Sequence, residues 1–444
     1  MKITPSIPLT AAAVALPSAA ALHGAGLISG SVFAILAVVC AAAVLILCIH
    51  PSFFRKTAPE IQPLCNGCIL VKTIGLCVVF HIAAFILLKT ILKIKLLPSL
   101  WFLLWCYGLI ILLIVFAGVR LVLKSRQLTL AQRILLFTVF WIPVVDLFVI
   151  RSAGKTAYRE FDFEESRIEL DNARAENEIC RTKYPILLVH GIFFRDSNFF
   201  NYWGRIPAAL IKNGAQIYYG NQHSAASVEE CAKELSEKIS EITKLTGCGK
   251  VNVIAHSKGG LDIRCAADLP GISDQIASIT TINTPHKGCR YAEVLLNRIP
   301  KAILHFIADN YDRTLDRFGD NGSDFIRGVT DLTASRCARF NDEHPIPEGV
   351  YCRSFGSYMK KPTSAGFPLN FAYLIVKLFS TSPNDGLVDV ESMRWGDSFM
   401  LFEPKTKRGI SHGDMIDLFR ENISKFDVRE AYVDIVADLK NKGY

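Results

Sequence analysis

Hydrophobic and polar residues are distributed unevenly along the chain, and this difference divides it into two parts. The first third consists mainly of long apolar runs with few charges, over residues 27–49, 73–92, 100–122 and 130–150. Because an α-helix needs about 20 apolar residues to cross a bilayer, these runs predict about four transmembrane helices over residues 27–150. The fourth run is the least regular, since it is interrupted by Arg133, Pro143 and Asp146.

The segments that flank this region differ from it in composition. Residues 1–26 are alanine-rich and apolar behind a single basic residue, as in a signal peptide, but an apolar run follows at once. We interpret them as an uncleaved lead-in. Residues 151–183 are highly charged and predict a helical or irregular linker that leaves the membrane. Basic residues are nearly balanced between the loops on the two sides, so the positive-inside rule assigns no orientation.

From residue 184 onward, short β-rich apolar runs alternate with amphipathic segments. Strands are predicted at residues 185–189, 216–219, 251–255, 276–282 and 350–355, with a helix at 227–245 between the second and third. Strands that alternate with helices favour a parallel sheet covered on both faces. The sequence therefore predicts an α/β domain over residues 184–444, preceded by an all-α transmembrane region.

Composition and charge narrow the class of partner. The hydrophobic content is 51%, and the net charge of +8 fits contact with an anionic membrane as well as an ordinary mixed surface. No cluster of Lys and Arg with interleaved aromatic residues occurs in the sequence, which argues against nucleic acid. Among thirteen scattered cysteines, Cys65 and Cys68 have the spacing of a redox pair or half a metal site, but no second such pair exists.

The strongest chemical signal is the segment from Val251 to Gly260, VNVIAHSKGG. An apolar strand leads directly into Ala255-His-Ser257-Lys-Gly259, and a helix is predicted to follow. This is the pattern of a nucleophile elbow, in which the residues two before and two after the serine must be very small. Gly259 meets that demand, and Ala255 replaces the usual glycine with only one methyl group more. Ser257 is therefore the predicted nucleophile.

A second apolar strand, ILLV at residues 186–189, ends in His190-Gly191-Ile192. In the fold that carries a nucleophile elbow, this position supplies half of an oxyanion hole. The backbone N–H groups of Ile192 and of Lys258, the residue after the nucleophile, are predicted to stabilise the negative charge that develops on the substrate.

The remaining partners of a catalytic triad follow the serine in the order acid, then histidine. Only His412, in the small-residue segment GISHG, lies beyond the plausible acids near residue 385. Asp385, in SPNDGLV, is the preferred acid because a carboxylate in a turn would orient the imidazole. Asp389 and Glu391 are the alternatives. His190, His256 and His286 are interpreted as packing and hydrogen-bonding residues around the site.

Together these motifs resemble the bacterial true-lipase (triacylglycerol lipase) family of α/β-hydrolases over residues 184–444. The resemblance includes TINTPHKG at residues 281–288, Asp331-Leu-Thr and His412-x-Asp414. It implies hydrolysis of long-chain esters through an acyl-serine intermediate, under a mobile lid for which the apolar stretch 291–309 is the candidate. An ordinary packed helix there is the alternative.

The sequence departs from that family in three respects. Ile192-Phe193-Phe194 follows His-Gly where further glycines are common, and transmembrane helices are not usual in secreted lipases. The family often holds a structural calcium near the catalytic histidine, and Asp414 matches one ligand position. However, residues 359–384 contain no acid that would supply a second ligand. No cofactor is required by the predicted chemistry, and a structural calcium remains an expectation of the resemblance only.

The combined prediction is a multi-pass membrane protein that cleaves carboxylic esters of lipids at a serine. Two alternatives stay open. A lipid acyltransferase would use the same triad but pass the acyl group to an alcohol other than water. A membrane interaction protein would carry the hydrolase domain as an inert scaffold.

Overall fold

The computed structural model describes residues 3–52, 57–192, 201–223, 226–298, 325–403 and 405–444. The backbone divides into two compact units, Met1–Asn172 and Ala173–Tyr444. The first unit is helical within its described residues, and the second is built around a β-sheet.

The helices of the first unit are α1 (Ile7–Gly24), α2 (Gly30–Ile49), α3 (Gln62–Thr90), α4 (Leu96–Lys124), α5 (Leu130–Thr138) and α6 (Val145–Arg174), the last of which extends two residues into the second unit. Helices α1 to α4 are long and apolar enough to cross a membrane. Their number agrees with the prediction, but their identity differs at both ends of the region.

The predicted span over residues 130–150 is wrong. The segment forms the nine-residue helix α5 and the start of α6, with a break between them. Pro143 lacks the N–H that a continuous helix needs, and Val144 adopts a φ of 70°, which no α-helix allows. In place of that span, residues 7–24 of the presumed lead-in form α1, whose alanine-rich sequence has high helix propensity.

Helices α2 to α4 carry many exposed apolar side chains. Ile35, Val38 and Leu104 are 60% or more exposed. Several buried polar groups in the interior of the helical unit pair with the main chain or with one another: the Ser6 N–H donates to Thr73 Oγ1 over 2.9 Å, and His81 Nε2 lies 3.1 Å from the Ala13 carbonyl oxygen. Outward apolar side chains and satisfied interior polar groups are what a hydrocarbon solvent requires.

Cys65 and Cys68 are both buried in α3. No cluster of three or more His, Cys, Asp or Glu side chains suited to a metal occurs anywhere in the described part of the chain. The local environment therefore gives no support to a metal site at this cysteine pair.

The described part of the second unit contains one parallel sheet of six strands. They are β1 (Ile186–Val189), β2 (Ile217–Tyr219), β3 (Val251–His256), β4 (Ile276–Ile282), β5 (Tyr351–Ser357) and β6 (Ser398–Phe402), in the spatial order β2-β1-β3-β4-β5-β6. The first five coincide with the predicted strands to within two residues at each end. Strands β1, β3 and β4 are buried along their whole length, as expected for a sheet covered on both faces.

The helices of this unit are α7 (Ile206–Lys212), α8 (Val228–Thr246), α9 (Gly259–Ala267), α10 (Arg290–Arg298), α11 (Phe325–Thr330), α12 (Ala334–Glu343), α13 (Leu369–Phe379) and α14 (Val428–Asn441). The sequence marks both ends of α8. Ser227 and Glu230 form a capping box at its start, and Gly247 ends it with a φ of 66°. Apolar side chains of α8 and α9 pack against β1 and β3, while those of α7 and α14 pack in a separate core with Trp203. The unit is therefore a parallel sheet flanked by helices.

Candidate active site

The candidate site lies at the carboxyl ends of β1 and β3. The chain leaves β1 for the outer strand β2 and returns to β3 on the other side of β1, so the strand order reverses between these two neighbours. In open parallel sheets, such a reversal opens a crevice at the carboxyl ends, where ligands bind. His190-Gly191-Ile192 and the Ser257 turn both lie at this edge.

Ser257 occupies a strained turn between β3 and α9. Its φ is 56°, in the left-handed region that non-glycine residues rarely adopt, and its N–H donates to the Ile282 carbonyl over 3.0 Å. A Cβ on Gly259 would overlap the His190 carbonyl oxygen, which explains why glycine is needed there. The strand, tight turn and helix together have the geometry of a nucleophile elbow.

The turn after β1 approaches the elbow closely. A Cβ on Gly191 would lie only 2.7 Å from Ser257 Cβ, so glycine alone permits this contact. The Gly191 N–H donates to the Tyr202 hydroxyl over 3.0 Å, and that hydroxyl lies 2.8 Å from His256 Nδ1. Ile192, next in the chain, is buried. The Lys258 N–H stands at the start of α9, where first-turn amides have no partner within the helix. Of the two predicted oxyanion donors, Lys258 thus directly follows Ser257, and Ile192 directly follows the glycine that approaches Ser257.

Asp385 and His412 form a close pair. His412 Nδ1 lies 2.6 Å from Asp385 Oδ2, and the His412 N–H donates to the Asp385 carbonyl over 2.8 Å. The His412 ring also packs against that of His256, with centroids 4.5 Å apart. Because His256 immediately precedes Ser257, this contact brings the His412 imidazole to the elbow.

Asp385 is fully buried and holds its orientation through several donors. The N–H groups of Leu387 and Val388 donate to Oδ1 over 2.9 and 2.8 Å, and Asn283 Nδ2 donates to Oδ2 over 2.7 Å. Asn283 has no predicted role of its own. The signal that was available is its position, because it directly follows β4 at the edge where the site lies, with a φ of 49°.

The alternative acids have other partners. The Asp389 carboxylate accepts the Ser392 N–H over 3.1 Å, and Glu391 forms an exposed ion pair with Arg394. The geometry therefore favours Asp385 as the partner of His412.

His256 and His286 are buried, in agreement with their interpretation as packing residues. Burial lowers the pKa of His256 well below its ordinary value, and the nearby His412 lowers it further. Burial also lowers the pKa of His286 strongly, with a smaller contribution from Arg264. Both imidazoles are therefore neutral, and His286 stacks on Trp395 with centroids 4.9 Å apart.

The side chain of Lys258 lies in an unexpected place for a residue beside the nucleophile. It is buried, and its Nζ donates to Asp262 Oδ1 over 2.7 Å and to Cys231 Sγ over 3.4 Å. Burial would lower the pKa of Lys258, but the adjacent Asp262 carboxylate outweighs it and raises that pKa. The ion pair thus anchors the first turn of α9 directly behind the elbow.

The residues around Asp414 do not fit a calcium ion. Arg408 donates to both Asp414 oxygens, from Nη1 to Oδ2 over 2.6 Å and from Nη2 to Oδ1 over 3.2 Å. A guanidinium in this position repels a divalent cation, and no cluster of three potential ligands occurs in the described ranges. The expectation of Asp414 as a calcium ligand therefore has no support from its surroundings.

Only part of the candidate lid can be placed. Residues 291–298 belong to α10, and the remainder, 299–309, lies outside the described residues. Tyr291, at the start of the stretch, has its pKa raised well above the ordinary value, first by burial and then by Cys289. The choice between a lid and a packed helix stays a prediction.

A parallel sheet with a serine elbow, followed in the chain by a buried aspartate–histidine pair, defines the class of α/β-hydrolases. Comparison with known proteins finds triacylglycerol lipases among its sequence relatives. The chain is 29% identical over 246 residues to a triacylglycerol lipase of Vibrio cholerae, which covers 51% of this chain and 78% of the relative. It is 25% identical over 298 residues to a triacylglycerol lipase of Pseudomonas fragi, and the match covers 60% of this chain and 99% of that lipase. A lipase of Burkholderia plantarii is 28% identical, and the chain spans about half of its length, 51%.

Among solved structures, the mature lipase BlEst2 of Bacillus licheniformis superposes with a TM-score of 0.42 at 22% identity, covering 53% of this chain and 88% of that one. The lipase of Staphylococcus hyicus superposes with a TM-score of 0.46 at 19% identity, and the match covers 59% of this chain and 97% of that one. No family model matches the chain. The sequence relatives are triacylglycerol lipases, and this similarity indicates that the chain is a carboxylic ester hydrolase of the lipase type.

Proposed function

We propose that this protein is a membrane-anchored lipase that cleaves carboxylic esters of lipids, with Ser257 as nucleophile and His412 and Asp385 as its partners. The observation that carries the proposal is the pairing of His412 Nδ1 with the buried Asp385 at 2.6 Å, next to a serine with a φ of 56°. A serine hydroxyl is a weak nucleophile until an oriented base accepts its proton, and this pair supplies an oriented base.

In the proposed mechanism, Ser257 Oγ attacks the ester carbonyl while His412 Nε2 accepts the hydroxyl proton. Asp385 holds the Nδ1 proton and stabilises the imidazolium. The N–H groups of Ile192 and Lys258 stabilise the oxyanion. His412 then protonates the departing alcohol, which leaves an acyl-serine. Water, deprotonated by His412, attacks this ester, and its collapse releases the fatty acid and restores the Ser257 hydroxyl.

Membrane anchoring is supported by the helices α1 to α4 and by the exposed apolar side chains of α2 to α4. An enzyme held at a bilayer meets lipid esters at high local concentration. Membrane glycerolipids are therefore the substrate class that this arrangement favours.

Helix α13, in the catalytic unit, supports a lipid substrate independently. Its inner face buries Leu369, Tyr373 and Val376. Its outer face is also apolar, unlike that of a normal surface helix. Together with the preceding Phe367 it exposes a stripe of side chains at helical spacing: Phe367 at 80%, Phe371 at 61%, Leu374 at 48% and Leu378 at 79%. We call these four residues the α13 stripe.

The α13 stripe is close to the candidate site and lies in a basic segment. Leu369 borders both triad loops, since a Cβ on Gly386 would lie 3.3 Å from Leu369 Cβ and one on Gly413 would lie 3.4 Å from Leu369 Cδ1. Residues 358–384 contain three lysines and no acidic residue. Apolar side chains with flanking lysines suit the surface of an anionic bilayer.

The test is hydrolysis of para-nitrophenyl esters of increasing acyl length by the detergent-solubilised protein and its Ser257→Ala variant. We expect activity that rises with chain length and is lost in the variant. Release of free fatty acid, measured with and without added acceptor alcohol, distinguishes hydrolysis from acyl transfer. Absence of activity on every ester, in folded protein, would contradict the proposal.

A further inference from the structure

The loop that carries His412 contains a buried carboxylate that is not part of the triad. We call residues 409–414 the histidine loop. Asp414, at its end, is 4% exposed at the side chain, and its Oδ2 accepts the Ser411 N–H over 2.7 Å. Ser411 immediately precedes His412. The Asp414 carboxylate therefore fixes the main chain at the position from which the His412 side chain departs.

A carboxylate buried to this degree needs a positive charge beside it, because an unpaired buried charge is strongly destabilising. Arg408 supplies that charge from the residue before the loop. Besides its two hydrogen bonds to Asp414, Nη2 donates to Glu421 Oε2 over 2.7 Å. One guanidinium thus joins two carboxylates across the base of the histidine loop.

The oxygen atoms around the Arg408 guanidinium resemble those of a divalent-cation site, and the guanidinium takes the place of the cation. Two carboxylates and the Gly409 carbonyl oxygen, 3.4 Å from Arg408 Nη1, are oxygen donors of the kind that calcium prefers. Arg408 Nη1 and Nη2 occupy the space between them. A planar guanidinium matches this arrangement through bidentate pairing, which a single ammonium does not reproduce.

We propose that Arg408 is a positioning residue for His412 and that its guanidinium does, in this chain, what a bound calcium ion would otherwise do for the histidine loop. The loop is then held by a cation that belongs to the protein itself. This makes the position of His412 independent of dissolved metal. The proposal rests on the proposed catalytic role of His412, but its effect on the loop can be measured without catalysis.

The remaining contacts of the histidine loop show which part of the loop depends on Arg408. Ile410 N–H donates to the Tyr358 carbonyl over 2.8 Å, and Gly409 pairs with Met359 in an isolated bridge. These contacts hold the start of the loop against β5 and its extension. Beyond them the loop depends on the His412–Asp385 pair and on Asp414. Loss of Arg408 therefore loosens the end of the loop where the imidazole must be held to a fraction of an ångström.

The experiment compares the full-length protein with Arg408→Ala, Arg408→Lys and the control Arg394→Ala in detergent. Arg394 forms an ion pair with Glu391 in which both side chains are about half exposed, so its loss removes an arginine without disturbing a buried carboxylate. Each protein is measured for kcat and KM on para-nitrophenyl butyrate and for Tm, in EDTA and in millimolar CaCl2. Terbium luminescence reports cation binding independently of hydrolysis.

We expect EDTA and calcium to leave the wild type and Arg394→Ala unchanged. Arg408→Ala should lose at least about 10-fold in kcat with little change in KM, since a displaced imidazole impairs chemistry rather than binding. Calcium should raise its Tm and recover part of its kcat, and terbium should bind to this variant only. Adding Asp414→Asn should abolish the response to calcium. The kcat of Arg408→Lys should lie between that of the wild type and that of Arg408→Ala.

Wild-type kcat in Arg408→Ala would overturn the proposal, as would a wild-type Tm that falls in EDTA and recovers with calcium. A loss in Arg408→Ala that calcium leaves unchanged would contradict the equivalence of guanidinium and calcium. If Arg408→Ala does not fold, Arg408→Lys decides, because full kcat there would show that bidentate pairing is unnecessary. If the wild type hydrolyses no ester, the proposed function fails, while the Tm and terbium measurements still test Arg408.

Discussion

Glu160 in the helical unit and Asp385 in the second unit are both buried carboxylates, and they have different partners. Among the described residues, Glu160 accepts from one loop, namely from the Ser125 hydroxyl over 2.5 Å and the N–H groups of Arg126 and Gln127 over 2.9 and 3.3 Å. Asp385 of the catalytic unit accepts two N–H groups and an amide in the same way, but also pairs with an imidazole. Glu160 therefore ties a loop to α6, while Asp385 additionally controls a group that can accept and release a proton.

This difference teaches how to separate a structural buried charge from a functional one. Burial and satisfied hydrogen bonds are common to both, because any buried charge needs them. The carboxylate proposed to be functional, Asp385, is coupled to a proton-accepting group at the carboxyl edge of the sheet, where the elbow lies. The predictions below test this distinction, starting from the largest expected effect.

The largest effect is expected for the carboxylates themselves. Asp385→Asn should lower kcat by about 10⁴-fold with the protein still folded, because the amide favours the wrong tautomer of His412. Glu160→Gln and Asp389→Asn should leave kcat within about 3-fold of the wild type, since neither side chain pairs with an imidazole. The measurement is kcat on a short-chain ester, with Tm as the check on folding. A comparable loss of kcat in Asp389→Asn would indicate that Asp389 is the triad acid instead of Asp385.

Two glycines, one in each unit, differ in the space that surrounds them. In Gly259→Ala the added methyl overlaps the His190 carbonyl oxygen, whereas in Gly108→Ala of α4 no atom lies within 4 Å of it. The first substitution should cost about 1–3 kcal/mol of stability, as overpacking does, and should lower kcat by displacing the elbow. The second should leave both unchanged. Thermal unfolding with a parallel ester assay measures the two variants, and equal behaviour would show that the close approach at the elbow is unimportant.

Acid should destabilise the catalytic unit through its neutral histidines. The folded-state pKa values of His256 and His286 are lowered below 6.5, so the unfolded chain binds protons that the folded chain does not. Their contribution to stability is present above about pH 6.5 and is lost as the pH falls, by up to about 2.7 kcal/mol per pH unit for both together.

Denaturant unfolding at pH 7, 6 and 5, followed by tryptophan fluorescence, measures this slope. His286→Asn should reduce the slope by about half, since one of the two titrating groups is removed. A free energy of unfolding that stays constant over this range would show that the two histidines do not govern acid stability.

The smallest effect is expected when the α13 stripe is replaced by polar residues. Only the hydrolysis of lipid in vesicles should be affected. Replacing Phe371, Leu374 and Leu378 together by serine should lower hydrolysis of lipid in anionic vesicles by about 10-fold, because less apolar surface enters the bilayer. Hydrolysis of a soluble butyrate ester should stay unchanged. Leu245→Ser is the control, since this leucine on α8 is 70% exposed but stands outside the stripe. Equal losses on both substrates would indicate damage to folding instead.

Local patterns in the sequence predicted the parts of the protein that depend on local physics. The strand that leads to Ser257, the small residues around this serine and the capping box of α8 are all set by neighbours in the chain. The extent of the apolar runs predicted four long helices, but not which ones. Pro143 and Val144 break the fourth run, and α1 forms from a segment whose length and composition also fit a signal peptide.

Contacts between distant residues could not be predicted in the same way. Asn283 reaches Asp385 across 102 positions in the chain, and no spacing rule connects them. Arg408 lies only six residues before Asp414, yet the sequence does not reveal whether that carboxylate faces a guanidinium or a metal. The resemblance to lipases favoured the metal, and the side chains of this chain favour the guanidinium.

The most direct test of the central claim is labelling of the folded, detergent-solubilised protein with a fluorophosphonate, followed by peptide mass spectrometry. We predict a single phosphonylated residue, Ser257, and labelling that is slowed strongly in Asp385→Asn and abolished in His412→Ala, while Glu160→Gln labels at the wild-type rate. Folded protein that does not react, or that reacts at another serine, would contradict the assignment of Ser257 as the nucleophile.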